Sequence, residues 1–169
     1  MCGIVGLFLK NSELENSLGS MLSEMLVTMT DRGPDSAGIA IYSSQNEGKS
    51  KFTIQSDNPD AVFPNMKIEL ENSLNSPVSV EINDTHAVLS VDDTMTEKLS
   101  EALRSIDPKT RIMCRGKSLE IYKEVGLPKE VTSRFKIKEM RGRHGIGHTR
   151  MATESAVTTM GAHPFNTGL

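Results

Sequence analysis

The chain has 169 residues, 37% of them hydrophobic, and a formal net charge of -3, which fits one packed domain and gives no global attraction for nucleic acid or an anionic membrane. No run approaches the roughly 20 apolar residues of a membrane-spanning helix. The opening Met1 to Lys10 lacks a basic leader, and Cys2 and Cys114 are the two cysteines, so the expectation is a reducing cytoplasm with neither secretory signal nor disulfide scaffold.

Gly3 to Leu9 is a short apolar run with β-branched residues near its start and reads as a buried strand beginning almost at the chain start. Ser12-Glu13-Leu14-Glu15 has capping-box spacing, and Leu14, Leu18, Met21, Leu22, Met25, Leu26 and Met29 follow at helical intervals, predicting an amphipathic helix whose Met-rich stripe packs in the core. The turn signal Arg32 to Ser36 precedes a strand over Ala37 to Tyr42. Residues 44–77 are polar and rich in Asn, Pro and Ser, and read as a surface excursion with one strand, Lys51 to Gln55.

Strand character returns from Val78 to Val91. A second amphipathic helix follows, with Thr94-Met95-Thr96-Glu97 as its capping signal and Asp107-Pro108 as its stop. A strand at Arg111 to Met113, a short helical piece at Ser118 to Val125 stopped by Gly126 and Pro128, and a strand at Gly145 to Thr149 complete the pattern. This irregular alternation predicts an α+β layered fold, one domain over residues 1–169.

Cys2 is the most informative residue. A small side chain at position two permits removal of the initiator methionine, which leaves a thiol and a free α-amine on one residue. With an unperturbed pKa of about 7.7 to 8.0, that amine is partly neutral near pH 7 and can take the thiol proton. A chain start that runs straight into a core strand is also held firmly enough to carry a nucleophile.

Three segments in order, Met1-Cys2-Gly3-Ile4-Val5-Gly6, Arg32-Gly33-Pro34-Asp35-Ser36-Ala37-Gly38 and Gly147-His148-Thr149-Arg150-Met151-Ala152-Thr153, resemble the class II glutamine amidotransferases of the N-terminal-nucleophile hydrolase superfamily. The resemblance implies a four-layer αββα sandwich, incomplete in this chain, and a glutaminase whose Cys2 attacks the side-chain amide of glutamine and frees ammonia. Glutamine carries an α-carboxylate that a planar guanidinium can bind through paired charge-assisted hydrogen bonds. Arg150 is the candidate for that clamp and matches the family's glutamine-carboxylate arginine. Thr153 resembles the threonine of the family's Arg-x-x-Thr usage; it can equally cap a turn. Arg32, with Gly33 and Asp35 beside it, resembles the family turn that steadies the nucleophile, while the plainer reading of Asp35 and Ser36 is turn hydrogen bonding.

His163-Pro164-Phe165 is similar to a family segment that precedes the oxyanion element. That element, an Asn-Gly pair, and a later Asp that receives the substrate ammonium are expected beyond the last residue of this sequence. Asn166 and Gly168, separated by Thr167, do not match the pair. His144, His148 and His163 fit no metal-ligand spacing, so no metal is expected; His148 reads as a core strand residue and Cys114 as a buried inert thiol. The basic cluster Arg134, Lys136, Lys138, Arg141 and Arg143 reads as a solvated face, with docking of an acidic partner as the sharper alternative.

Ile121 to Pro128 and Gly147 to Thr159 are most similar to stand-alone amidotransferase subunits of glutamate synthase-like and N-methylglutamate synthase-like enzymes. The resemblance implies no cofactor in this chain and a separate synthase partner, flavin-containing, that uses the ammonia. Two rival readings stand beside it: an acylase or peptidase of the same superfamily, and a non-catalytic regulatory or assembly subunit.

Overall fold

A computed structural model describes residues 2–153 and 156–167; Met1, Glu154, Ser155, Gly168 and Leu169, several of which enter the motifs above, lie outside the described residues. In chain order the elements are β1 (Gly3–Phe8), α1 (Leu18–Val27), β2 (Ser36–Tyr42), β3 (Lys49–Gln55), α2 (Pro59–Leu74), β4 (Ser79–Asn83), β5 (His86–Asp92), α3 (Thr96–Ile106), β6 (Arg111–Gly116), β7 (Leu119–Val125), α4 (Pro128–Arg134) and β8 (His144–Arg150). The architecture is mixed, with helices and two four-stranded sheets, compatible with the α+β expectation. The chain falls into two compact units, one of Met1–Ser44 with Ile121–Phe165, the other of Gln45–Glu120 with Asn166–Leu169.

In the first unit the sheet order is β1-β8-β2-β7, and β8 runs antiparallel to both β1 and β2. Helix α1 packs on β1 and β8, and α4 on β2. Leu18, Leu22 and Leu26, one per turn of α1, are fully buried there with Ile39 and Ile41, and Val5 is buried beside them. Met21, Met25 and Met29 are half-buried flanks, so the core stripe is the leucines and not the methionines. The helix also begins later than its capping signal implies. Asn11, not Ser12, caps a 3-10 turn over Ser12–Ser17, accepting from the Glu13 amide, and the α-helical hydrogen bonding starts at Leu18.

The second unit has the sheet β4-β5-β3-β6, antiparallel at the β4–β5, β5–β3 and β3–β6 pairings. Phe52, Ile54, Leu89 and Val91 form a core with Phe63, Met66, Leu70 and Leu74 of α2 and Leu99, Ala102 and Leu103 of α3. The 44–77 segment, expected as a surface excursion, therefore contains a strand and a 16-residue helix that builds the core. Its apolar residues at 63, 66, 70 and 74 follow helical spacing, but Pro59, Pro64 and the surrounding Asn and Ser mask it. Pro59 opens the helix where its missing amide costs nothing, and Asn75 closes it in the left-handed conformation, φ 48°.

A second correction concerns Leu119–Val125, expected as helical and observed as strand β7. In seven residues the two periodicities are hard to separate, and pairing beside β2 decides the outcome. Pro128 does not stop a helix there. It is the first residue of α4, whose Glu130 side chain accepts the Leu127 amide at 3.1 Å in the manner of a capping box.

Candidate functional site

Cys2 is exposed and stands immediately before β1. The β1–β8 register pairs Gly3 with Thr149, so Cys2 and Arg150 are the next residues on adjacent antiparallel strands, at one end of the sheet. On the other side of β8, Arg150 pairs with Ser36 of β2. Residues directly opposite share a face. Cys2, Arg150 and Ser36 thus continue the face that carries Ile4, His148 and Gly38, opposite to the face on which α1 packs.

The start of β1 is tied down by one buried side chain. Thr149 Oγ1 accepts the Gly3 amide at 3.2 Å and donates to the Met29 carbonyl at 3.3 Å. Met29 precedes the 3-10 turn Thr30–Arg32, so the turn that bears Arg32 is fixed to the same hydroxyl. Arg32 itself is exposed. Its Cβ lies 3.3 Å from where a Gly3 side chain would begin, which places the turn against the backbone next to Cys2.

Gly33 is buried beneath the end of β8. A Cβ there would lie 2.5 Å from the Arg150 amide nitrogen and 2.7 Å from the carbonyl carbons of Arg150 and Thr149, contacts that no side chain can accept. Asp35 completes the attachment. Its amide donates to the Arg150 carbonyl at 3.1 Å and its Oδ2 accepts from the Ala152 amide at 2.7 Å. Gly33 and Asp35 therefore set the backbone on both sides of Arg150. Thr153 is exposed on the bend that follows.

The face around Arg150 is rich in cations and imidazoles. His148 stacks on His163 with ring centroids 4.4 Å apart, and the peptide between His163 and Pro164 is cis. Burial, reinforced by the charges of His163 and Arg150, lowers the His148 pKa to about 4; burial and the charges of Arg150 and Lys123 lower that of His163. Among the described residues, Ser36 Oγ and His163 Nδ1 are buried polar atoms with no hydrogen-bond partner.

Because His148 resists protonation in the fold, the unfolded chain takes up its proton first as pH falls below 6.5. The stability that a neutral His148 preserves is complete above that pH and is lost as pH drops through about 4. Urea unfolding at pH 7 and pH 5 should show a loss on the order of 1 to 2 kcal/mol attributable to this residue, and His148→Asn should flatten that part of the slope.

Residues that the sequence did not single out join the site from β7 and from the segment after β8. Lys123 is buried, donates from Nζ to the Ala162 carbonyl at 2.8 Å and to that of Met160 at 3.4 Å, and lies over the Phe165 ring at 4.3 Å. Burial lowers its pKa to about 8. Its neighbour Glu124, also buried, accepts from the Thr159 hydroxyl and from the Val125 amide. Two adjacent charged residues inside an apolar run, Ile121-Tyr122-Lys123-Glu124-Val125, are the sequence signal for this pair.

Elsewhere, Cys114 is buried in β6, with its sulfur 3.4 Å from Thr53 Oγ1 and 3.5 Å from the Leu119 carbonyl. Among the described residues no three His, Cys, Asp or Glu side chains gather as a metal-binding group, and no helix is long and apolar enough to cross a membrane. A cavity of about 620 Å³ lies on the helical side of the first unit, between Glu24 of α1, Thr28 just after it, and Lys129 and Ser133 of α4, with Lys136 and Lys138 at its margin; Cys2, Arg32, Gly33, Asp35, Arg150 and Thr153 do not line it. In the basic cluster, Arg143 donates to the Leu9 carbonyl at 3.3 Å and stacks on Phe8, and Arg134 lies 3.8 Å from Glu124.

No protein-family model matches the chain. Over 168 residues, 99% of the chain, it is 58% identical to the glutamine amidotransferase-like protein GlxB of Rhizobium meliloti strain 1021. Over 173 aligned residues, 98% of the chain, it is 31% identical to a protein of Methanothermobacter thermautotrophicus strain Delta H described as a candidate glutamine amidotransferase. The chain spans 56% of the length of each of these relatives, whose names support a glutamine amidotransferase-type assignment.

Proposed function

We propose that this chain is the nucleophile-bearing part of a class II glutamine amidotransferase with the αββα N-terminal-nucleophile architecture. The observation that carries the reading is the register that brings the chain start beside Arg150, at a sheet end fixed by Thr149, Gly33 and Asp35. The names of the two relatives support the glutamine amidotransferase part of this reading.

In this reading, Met1 is removed and the freed α-amine of Cys2 takes the thiol proton. Arg150 binds the α-carboxylate of glutamine through its guanidinium, with Thr153 adding a hydroxyl, and the thiolate attacks the side-chain amide carbon. The protonated α-amine returns its proton to the leaving nitrogen as the C–N bond breaks. Ammonia departs and a γ-glutamyl thioester remains. Water, deprotonated by the same amine, then attacks the thioester to give glutamate and the free thiol.

Attack on the amide builds charge on the carbonyl oxygen, which preorganised donors must meet. By the family resemblance those donors are an Asn-Gly pair that follows the His163-Pro164-Phe165 segment. The ammonia passes to a synthase subunit, flavin-containing by the family resemblance, and the setting is the cytoplasm.

The test is reaction with diazo-oxo-norleucine, a glutamine-shaped electrophile, followed by peptide mapping. The adduct is expected on Cys2 at the processed chain start. Buried Cys114 serves as an internal control, and labelling there, or nowhere, overturns the proposal.

A further inference from the structure

Residues 158–163 follow β8 and lie against the side chain of its last residue. A Cβ built on Gly161 would stand 2.6 Å from Arg150 Nη1 and 3.5 Å from its Cζ, so the bare backbone of Gly161 is the surface on which the guanidinium rests. Gly161 does not have a left-handed φ, so its backbone conformation is open to any residue; the approach of Arg150 is what excludes a side chain. The segment is a closed turn. The Ala162 amide donates to the carbonyls of Thr158 and Thr159, and the Gly161 amide to Thr158 Oγ1 at 3.1 Å.

Two residues of β7 hold that turn from beneath. Lys123 donates to the carbonyls of residues 160 and 162, on either side of Gly161, and Glu124 accepts from the hydroxyl of Thr159. Burying an ammonium and a carboxylate is costly unless each is paired, and an apolar side chain would fill the same volume at lower cost. Their polarity therefore does what packing alone does not: it fixes backbone carbonyls and a hydroxyl of a segment without regular structure. Ala162 is fully buried, which seats the turn on its far side.

We infer that Lys123 and Glu124 are positioning residues that clamp residues 158–163, and that the clamped Gly161 determines where the Arg150 guanidinium lies and hence how it meets a carboxylate. This rests on the reading of Arg150 as the carboxylate-binding residue. It assigns to β7 and Gly161 a part in substrate recognition through Arg150, without contact with the substrate.

Gly161→Ala is the decisive variant. The added methyl would lie 2.6 Å from the movable tip of an arginine and 3.2 Å from Thr158 Oγ1, so the guanidinium must shift while the hydroxyl has to give only slightly. Two labelling rates at Cys2 separate the possibilities: that of diazo-oxo-norleucine, which carries the α-carboxylate, and that of iodoacetamide, which does not. Gly161→Ala should slow the first about tenfold or more, the effect of losing one charge-assisted hydrogen bond, and leave the second and the thermal midpoint at parental values. Lys123→Met, of similar length without the charge, should act in the same direction.

If Arg150→Ala slows diazo-oxo-norleucine while Gly161→Ala keeps the parental rate, the clamp is refuted and the function stands. If Gly161→Ala slows both reagents equally, the effect is general and the clamp is again refuted. If Arg150→Ala itself changes neither rate, it is the function that fails.

Discussion

Cys2→Ser should reduce ammonia release from glutamine, in the full-length protein, by about 10⁴-fold or more, the scale on which loss of a covalent nucleophile is felt. The hydroxyl keeps the size and the α-amine but has a far higher pKa than the thiol, so in a site shaped for the larger sulfur the amine draws far less nucleophile from it. The side chain is exposed beyond the first strand residue, and the substitution removes no packing contact, so the folded fraction should be unchanged. Ammonia assays with purified variant and parent decide the matter. Release at the parental rate would exclude Cys2 as the nucleophile.

Arg150→Ala should raise the KM for glutamine by roughly 10² to 10⁴, because two hydrogen bonds to a charged group are lost together at about 1.5 to 3 kcal/mol each. Arg150→Lys should recover part of that loss, since an ammonium keeps the charge but cannot present two parallel donors. Both variants should bind ligands that lack a carboxylate as the parent does. The backbone at Arg150 is held by Gly33, Asp35, Pro34 and Ser36 of β2 through main-chain contacts that do not involve the side chain, so its replacement leaves the strand end in place. Steady-state kinetics that show kcat reduced with KM untouched would point instead to a role in the chemical step.

Much of the framework was legible where local pattern and tertiary context agree. β1, β2, β8 and α3 follow from short apolar runs, flanking turns and capping signals, and the structure places each within a few residues of expectation. α2 was hidden because its prolines and polar residues argue locally for a loop, while Phe63, Met66, Leu70 and Leu74 acquire meaning only when a sheet lies beneath them. β7 was misread because Lys123 and Glu124 interrupt its apolar residues. They are buried there by partners about 35 to 40 residues further on, which no local pattern contains.

The same division applies to the candidate site. Cys2, Arg150, Arg32, Gly33 and Asp35 came from motif resemblance, and the register of β8 between β1 and β2 gathers them at one end of the sheet. Thr149 lies inside the third motif with no role of its own, because a threonine in a strand gives no sign that its hydroxyl will bind the first strand amide and a distant carbonyl at once. Gly161 carried no signal at all. A glycine in a turn is common, and its significance lies in a guanidinium brought to it by the fold.

Among the described residues, β1 lies at the margin of its sheet with β8 as its neighbour in the strand order, which bears on how the protein comes into being. Among the described residues, this strand gains its hydrogen-bonding partner only once the strand spanning His144–Arg150 has been made, a separation that slows assembly. Over that interval Cys2 has no strand beside it, and it comes to lie next to Arg150 only after residue 150 has been made.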